Sequence, residues 1–139
     1  MTPHTMRLHI YALADAFHVR VIEHHEVHPG EARALRQGDS RVVLVAPITD
    51  ETIYASALHE LGHLVHPLGG VNYIEGSLAY RRTGRPDTLR DLRLLWASEE
   101  AAWEWAMHYA MEWTDVMDSV RVMCLNTYRE GLRRYGVDV

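Results

Sequence analysis

Residues 54–67, YASALHELGHLVHP, form an apolar segment that contains three histidines and a glutamate and stops at a proline. Thr49 or Asp50 is suited to cap the amino end of a helix, and Pro67 cannot continue one. The pattern therefore predicts a helix over residues 51–65. Histidine and glutamate side chains in such a helix are either satisfied polar residues of the core or functional groups of a site.

Within this helix, residues 59–63 (HELGH) fit the pattern H-E-x-x-H. Histidines four positions apart project from one helix face, so His59 and His63 can both reach one zinc ion at about 2.0–2.1 Å. Glu60 is rotated by about 100° from His59 and can approach a water molecule at the metal. The pattern can also arise by chance, and the chain would then be a metal-free helical interaction module.

A catalytic zinc site needs a third protein ligand, and Glu99 is the best candidate. The sequence predicts a long helix that Asp87 caps and that runs to about Trp113, and position 99 lies in the middle of its apolar stripe. A carboxylate on a core-facing stripe is costly unless it is paired or binds a metal. Glu100 points beside the stripe, so we expect it to be solvated.

Two alternatives stay open for the third ligand. Glu99 can instead form a buried salt bridge with an arginine. His66 lies on nearly the same helix face as His59, but it is about 7–8 Å along the axis from a metal midway between His59 and His63. Pro67 also draws His66 out of helical geometry, so a bent arrangement remains possible.

The remaining elements predict an α+β domain, because a helix and strands precede the later helices. A final helix is expected from Thr114 or Asp115 to about Tyr135. A chain of 139 residues without repeats or a linker predicts one domain, residues 1–139. The other predicted elements are a helix at 6–18, strands at 19–27 and 41–47, a turn or short helix at 31–40, a helix within 73–82 and a turn at 84–86.

The histidines within residues 23–28 and the four tryptophans do not indicate a second site. Neighbouring histidines in EHHEVH, residues 23–28, would point to opposite faces of a strand, so we expect surface or edge residues. Three of the four tryptophans, at 96, 103 and 113, follow the apolar stripe of the long helix and indicate packing.

Composition narrows the class of function. The net charge is −5 and all fourteen basic residues are arginine, which gives no broad basic surface for nucleic acid. No segment approaches the roughly 18 apolar residues of a membrane span, and no signal-peptide pattern is found. Cys124 is the single cysteine, so no disulfide framework is possible, and we expect a buried inert thiol. These features predict a soluble cytoplasmic protein without nucleic-acid or membrane partners.

The residues at these sites resemble those of the ImmA/IrrE family and related zincin-like metallopeptidases of phages and mobile elements. The resemblance covers roughly residues 5–115 and rests on RVVLVAP, YASALHELGHL and EEAAWEWA. Aligning Ala102 and Ala106 with the family's alanines carries its third metal ligand onto Glu99. The chain departs from the family in lacking L-L-M-P after the glutamate helix and in its Gly- and Arg-rich loop before that helix.

The resemblance implies a zincin-like fold, in which a small antiparallel or mixed sheet packs on the H-E-x-x-H helix and the glutamate helix. It implies a gluzincin-type endopeptidase with zinc, or manganese, on His59, His63 and Glu99, and with Glu60 as the base. The implied partner is a protein or peptide substrate, such as a transcriptional repressor. The alternative is a non-catalytic zincin-like domain that binds a partner. Candidate donors to the reacting carbonyl oxygen are Tyr73, Tyr80 and the arginines within 81–85.

Overall fold

A computed structural model describes residues 1–69 and 89–139, and these form an α+β arrangement of helices around a small mixed sheet. The α+β class is therefore confirmed. In chain order the elements are helix α1 (Pro3–Ala16), strand β1 (Arg20–Glu23), a 3-10 turn (Pro29–Glu31), strands β2 (Arg33–Gln37) and β3 (Ser40–Val45), and helices α2 (Glu51–Val65), α3 (Leu89–Tyr109) and α4 (Asp115–Arg134).

The sheet has the strand order β1-β3-β2. Strand β1 runs parallel to β3, and β2 runs antiparallel to it. The central position of β3 explains why Val43 and Val45 are almost fully buried, as a β-branched run predicts. The strands predicted at 19–27 and 41–47 are confirmed, although the first ends at Glu23.

The prediction of a turn or short helix at 31–40 is wrong, because most of this segment forms β2. Gly38 and Asp39 make the two-residue connection to β3, and Gly38 has a φ of 58°, in the left-handed region that glycine tolerates. A Gly-Asp pair between two strands is a hairpin signal. The backbone pairing with β3 then stabilises an extended conformation in a segment whose own residues favour no single structure.

Helix α2 lies at the centre of the domain, and its predicted bounds of 51–65 are confirmed. The side chain of Asp50 caps it by accepting a hydrogen bond from the backbone N–H of Ile53 at 2.9 Å. At the other end, Arg36 and Arg41 donate to the carbonyl oxygen of Leu64 at 3.2 and 2.9 Å. These contacts attach the sheet to the carboxyl end of α2, where positive charge is favourable.

A partly buried carboxylate attaches α1 to the sheet. Glu23, at the end of β1, accepts hydrogen bonds from Arg7 at 2.9 Å and from the Tyr11 hydroxyl at 2.8 Å. It also accepts from the backbone N–H of Ile48 at 2.8 Å. The helix predicted at 6–18 is confirmed, although α1 begins earlier, at Pro3, and ends at Ala16.

Helices α3 and α4 complete the core on the other side of α2. Helix α3 ends at Tyr109, four residues before the predicted end, and Thr114 caps α4 through the backbone N–H of Met117 at 3.3 Å. The buried surface of α3 is wider than the predicted stripe, because Trp105 is also buried and its ring contacts Phe17 edge-on. The predicted cap Asp87, the helix within 73–82 and the turn at 84–86 lie outside the described residues.

None of the helices in the described part of the chain combines the length and apolar character needed to cross a membrane.

Candidate metal centre

The site begins with the close approach of α2 and α3. A Cβ atom built on Gly62 would lie 2.4 Å from the backbone oxygen of Ala102, closer than real contacts allow. Glycine at position 62 therefore lets the backbones of the two helices meet. Since His59 and His63 share a face of α2, this approach brings both rings up to α3.

The two histidines converge on Glu99 of α3. The Nε2 atom of His59 lies 2.6 Å from Oε2 of Glu99, and Nε2 of His63 lies 3.1 Å from Oε1. All three side chains are buried, with relative exposures of 7%, 2% and 4% in the order His59, His63, Glu99. The structure thus brings together the three residues that the sequence predicted as metal ligands.

Burial and charge act in opposite directions on this cluster. Burial lowers the pKa of His59, but the charge of Glu99 and hydrogen bonds with Glu60 and Glu99 outweigh it and raise the pKa to about 10. Burial likewise raises the pKa of Glu99, but the charge of His59 and hydrogen bonds from both histidines lower it well below its usual range. Without a metal, the cluster is therefore a buried imidazolium–carboxylate pair.

The donor set of this cluster fits a divalent cation. Two imidazole nitrogens and a carboxylate oxygen are common zinc ligands, and their atoms lie about 3.3 Å apart around a tetrahedral ion. The separations of 2.6 and 3.1 Å between the Nε2 atoms and the Glu99 oxygens are those of hydrogen bonds. A divalent cation would replace the protons between these atoms, because metal binding releases protons from its ligands.

Ser98 orients the ring of His63. The Ser98 hydroxyl donates to the backbone oxygen of Gly69 at 2.8 Å, so its oxygen accepts from Nδ1–H of His63 at 3.2 Å. A proton held on Nδ1 leaves Nε2 of His63 available as a ligand atom. Ser98 is fully buried, which keeps water from competing for this contact.

Trp103 of α3 fixes the other ring. Its indole stacks on His59 with a centroid distance of 4.2 Å and an interplanar angle of 13°. The Nε1 atom of Trp103 is buried and has no hydrogen-bond acceptor among residues 1–69 and 89–139. This donor lies next to the side chain of Cys124.

Glu60 occupies a different position from the three converging residues. Its Oε1 atom lies 3.4 Å from Nδ1 of His59, on the side of the ring away from the contact between Nε2 and Glu99. The side chain is 9% exposed and lines a cleft. Glu60 is therefore close to the cluster and lines the cleft.

The sequence left alternatives to Glu99 as a metal ligand: a salt bridge from Glu99 to an arginine, or His66 as the ligand. Among the described residues, the side-chain partners of Glu99 include His59 and His63 and no arginine. His66 has left the helix with an extended backbone, and its Nδ1 accepts from the backbone N–H of Leu68 at 3.1 Å. Glu100 is exposed, as predicted.

The cleft beside the cluster has a volume of about 530 Å³. One wall comes from the 3-10 turn and the start of β2, and the opposite wall comes from α4. The cluster lies between them. The residues of the two walls are Pro29, Gly30, Ala32 and Arg33 on one side, and Val120, Met123, Cys124 and Tyr128 on the other.

Two residues of α4 extend the cluster, and neither was among the predicted site residues. The Tyr128 hydroxyl donates to Oε1 of Glu99 at 3.2 Å, and burial followed by the Glu99 charge raises its pKa. Cys124 donates to Oε2 of Glu99 at 3.6 Å, and burial together with that charge raises the thiol pKa to about 12. Val120, Cys124 and Tyr128 are spaced by four residues, so they share the helix face towards the cleft.

The sequence predicted a buried inert thiol, whereas Cys124 is half-buried, packs against the core and lines the cleft. The histidines at 24, 25 and 28 are exposed, in agreement with the sequence. The candidate donors Tyr73, Tyr80 and 81–85 lie outside the described residues.

Comparisons of the chain with protein-family models, with curated proteins and with solved structures give no match.

Proposed function

We propose that this protein is a zinc-dependent metallopeptidase with a zincin-like fold, in which His59, His63 and Glu99 bind the metal and Glu60 is the general base. The observation that carries the proposal is the convergence of both H-E-x-x-H histidines on one buried carboxylate, with Glu60 beside them in an open cleft. The resemblance to the ImmA/IrrE family rests on the same residues and supports the same activity.

Each residue has a defined role in this proposal. When bound, zinc supplies a Lewis acid that activates water and stabilises negative charge on the reacting carbonyl. His59 and His63 hold it through Nε2, while Tyr128 orients Glu99 by its hydrogen bond at 3.2 Å. Glu60 accepts a proton from the attacking water and returns it to the leaving amine.

The cleft supports a peptide as the substrate. Within the described residues, β2 pairs with β3 on one edge only, so its other edge offers free backbone groups. Arg33, the first residue of β2, lines the cleft with Ala32. An extended peptide can add to such an edge through main-chain hydrogen bonds. We further propose that the target is a repressor-like protein in the cytoplasm, which the family resemblance suggests and the single cysteine suits.

The substitution Glu60→Gln tests this activity. It removes the base and leaves every proposed ligand in place, so metal content and thermal stability should stay unchanged while peptide hydrolysis falls by at least about 10²-fold. Hydrolysis of a denatured protein such as casein, followed by peptide release, gives the measurement. Glu100→Gln is the matched control, because Glu100 is an exposed glutamate of α3, and this variant should keep full activity. Undiminished hydrolysis by Glu60→Gln would contradict the assigned base.

One observation favours a second candidate, a non-catalytic zincin-like domain that binds a protein partner. Cys124 lies within reach of the metal ligands and could complete a closed coordination shell, as in structural zinc sites. Under this candidate the parent protein binds zinc and hydrolyses no peptide. Partner capture would then be equal for the parent and for Glu60→Gln.

A further inference from the structure

Cys124 belongs to α4 and lies next to the cluster of His59, His63 and Glu99. Its sulfur is 3.6 Å from Oε2 of Glu99, the same oxygen that contacts His59. The ligand atoms of His59, Glu99 and Cys124 all lie within 4.8 Å of one another. Cys124 therefore contacts the cluster through Glu99 while it also packs against the apolar core.

The sulfur-to-oxygen distance matches shared coordination. With zinc–sulfur bonds of about 2.3 Å and zinc–oxygen bonds of about 2.0–2.2 Å, two ligands of one tetrahedral ion have S and O atoms about 3.5 Å apart. The observed distance between Cys124 and Glu99 is 3.6 Å. Sulfur and oxygen are therefore already separated as two ligands of one ion would be.

An independent observation concerns Trp103. Its indole ring is 2% exposed, and its Nε1–H has no acceptor in the described ranges, 1–69 and 89–139. A buried donor without an acceptor is costly. This N–H lies beside the Cys124 side chain. A metal-bound thiolate would provide the acceptor that the indole lacks.

We propose that Cys124, as a thiolate, is a fourth protein ligand of the metal in the resting protein, and that Trp103 donates a hydrogen bond to its sulfur. The metal–sulfur bond forms as the S–H bond breaks, and the proton is released to solvent. This inference rests on the proposed metal site formed by His59, His63 and Glu99.

Coordination by Cys124 would regulate the site. Four protein ligands leave no position for water, as in structural zinc sites. Hydrolysis would then require the thiolate to leave, and a peptide that enters the cleft between α4 and the wall at 29–33 is placed to displace it. The peptidase would be latent until its substrate binds.

Cobalt substitution tests the inference without any activity measurement. Protein purified without added thiols is stripped with a chelator, loaded with Co²⁺ and examined for a thiolate-to-cobalt charge-transfer band in the near ultraviolet. Because the chain has a single cysteine, such a band in the monomer belongs to Cys124. The parent should show the band, and Cys124→Ser should bind cobalt without it.

Alkylation of the thiol gives a second readout that does not depend on a variant. Zinc should slow the reaction of Cys124 with iodoacetamide by about tenfold or more relative to stripped protein, because coordination occupies the sulfur. If Cys124→Ser fails to fold, the band and this protection in the parent decide the question.

The outcomes separate the two proposals. If cobalt binds without a thiolate band, or if zinc leaves the alkylation rate unchanged, Cys124 is not a ligand and the site of two histidines and Glu99 stands. If the parent takes up neither zinc nor cobalt, the metal site and the activity proposed for it are wrong. The ligand role proposed for Cys124 is then wrong as well.

Discussion

At the scale of single residues, the buried pair of His59 and Glu99 determines how stability responds to pH. In protein stripped of metal, the pKa of His59 is raised from 6.5 to about 10, so its charge stabilises the folded state fully below about pH 6.5. This contribution is lost as the pH rises from 6.5 towards 10. The pKa of Glu99 is lowered from 4.5, so its contribution is present above that value and is lost on acidification.

Urea unfolding of stripped protein at a series of pH values measures this effect. The free energy of unfolding should fall between pH 7 and pH 10 in the parent, and this fall should be smaller in His59→Gln, which cannot carry the charge. Zinc binding should show the opposite trend over pH 5–8, because the ligands must lose protons. A parent without metal whose stability rises from pH 7 to pH 10 would show that His59 is not charged in the folded state.

The sequence was sufficient to predict some of these residues and insufficient for others, for a physical reason. His59, Glu60 and His63 are close through one helical turn, and Glu99 was predictable because a carboxylate on a buried stripe needs a partner. Cys124 depends on how α4 docks against the cluster, and local spacing does not encode that contact. The same holds for Tyr128, Ser98 and the orientation of Trp103.

At the scale of elements, the contact between α2 and α3 depends on Gly62. Gly62→Ala would place a methyl group against the backbone of Ala102, which cannot move as a side chain does. We expect a loss of about 1–3 kcal/mol in the free energy of unfolding. Zinc affinity should fall as well, since separation of the helices moves Glu99 away from the histidines.

Gly131→Ala is the matched control within α4. A Cβ atom there would lie 3.2 Å from Cδ2 of Leu92, the flexible end of a side chain, and the gain in helix propensity is up to about 1 kcal/mol. This variant should be neutral or slightly stabilised in urea unfolding, with unchanged zinc affinity. If both variants lose stability equally, general crowding rather than the α2–α3 contact explains the effect at Gly62.

The elements themselves were predictable to different degrees. Helix α2 was predicted to the residue because a capping aspartate and a proline mark its ends. Strand β2 was missed, because its extended form comes from pairing with β3 and from the turn at Gly38 and Asp39. Non-local pairing of this kind is the part of the fold that local patterns do not determine.

At the scale of the whole molecule, three helices contribute to one cluster. Helix α2 supplies the histidines and Glu60, α3 supplies Glu99, and α4 covers the cluster with Cys124 and Tyr128. The sheet attaches to the carboxyl end of α2 through Arg36 and Arg41. The order of elements in the chain predicted an α+β class, but the placement of α4 over the cluster needed the structure.

The central claim is that this cluster is a metal site, and the zinc content of purified protein tests it most directly. Protein prepared without chelator should contain about one zinc per chain, and Glu100→Ala should match it. Glu99→Ala should lose at least about 100-fold in zinc affinity and most of the increase in melting temperature that zinc gives. Zinc near zero in the parent, with no uptake on titration, would contradict the claim.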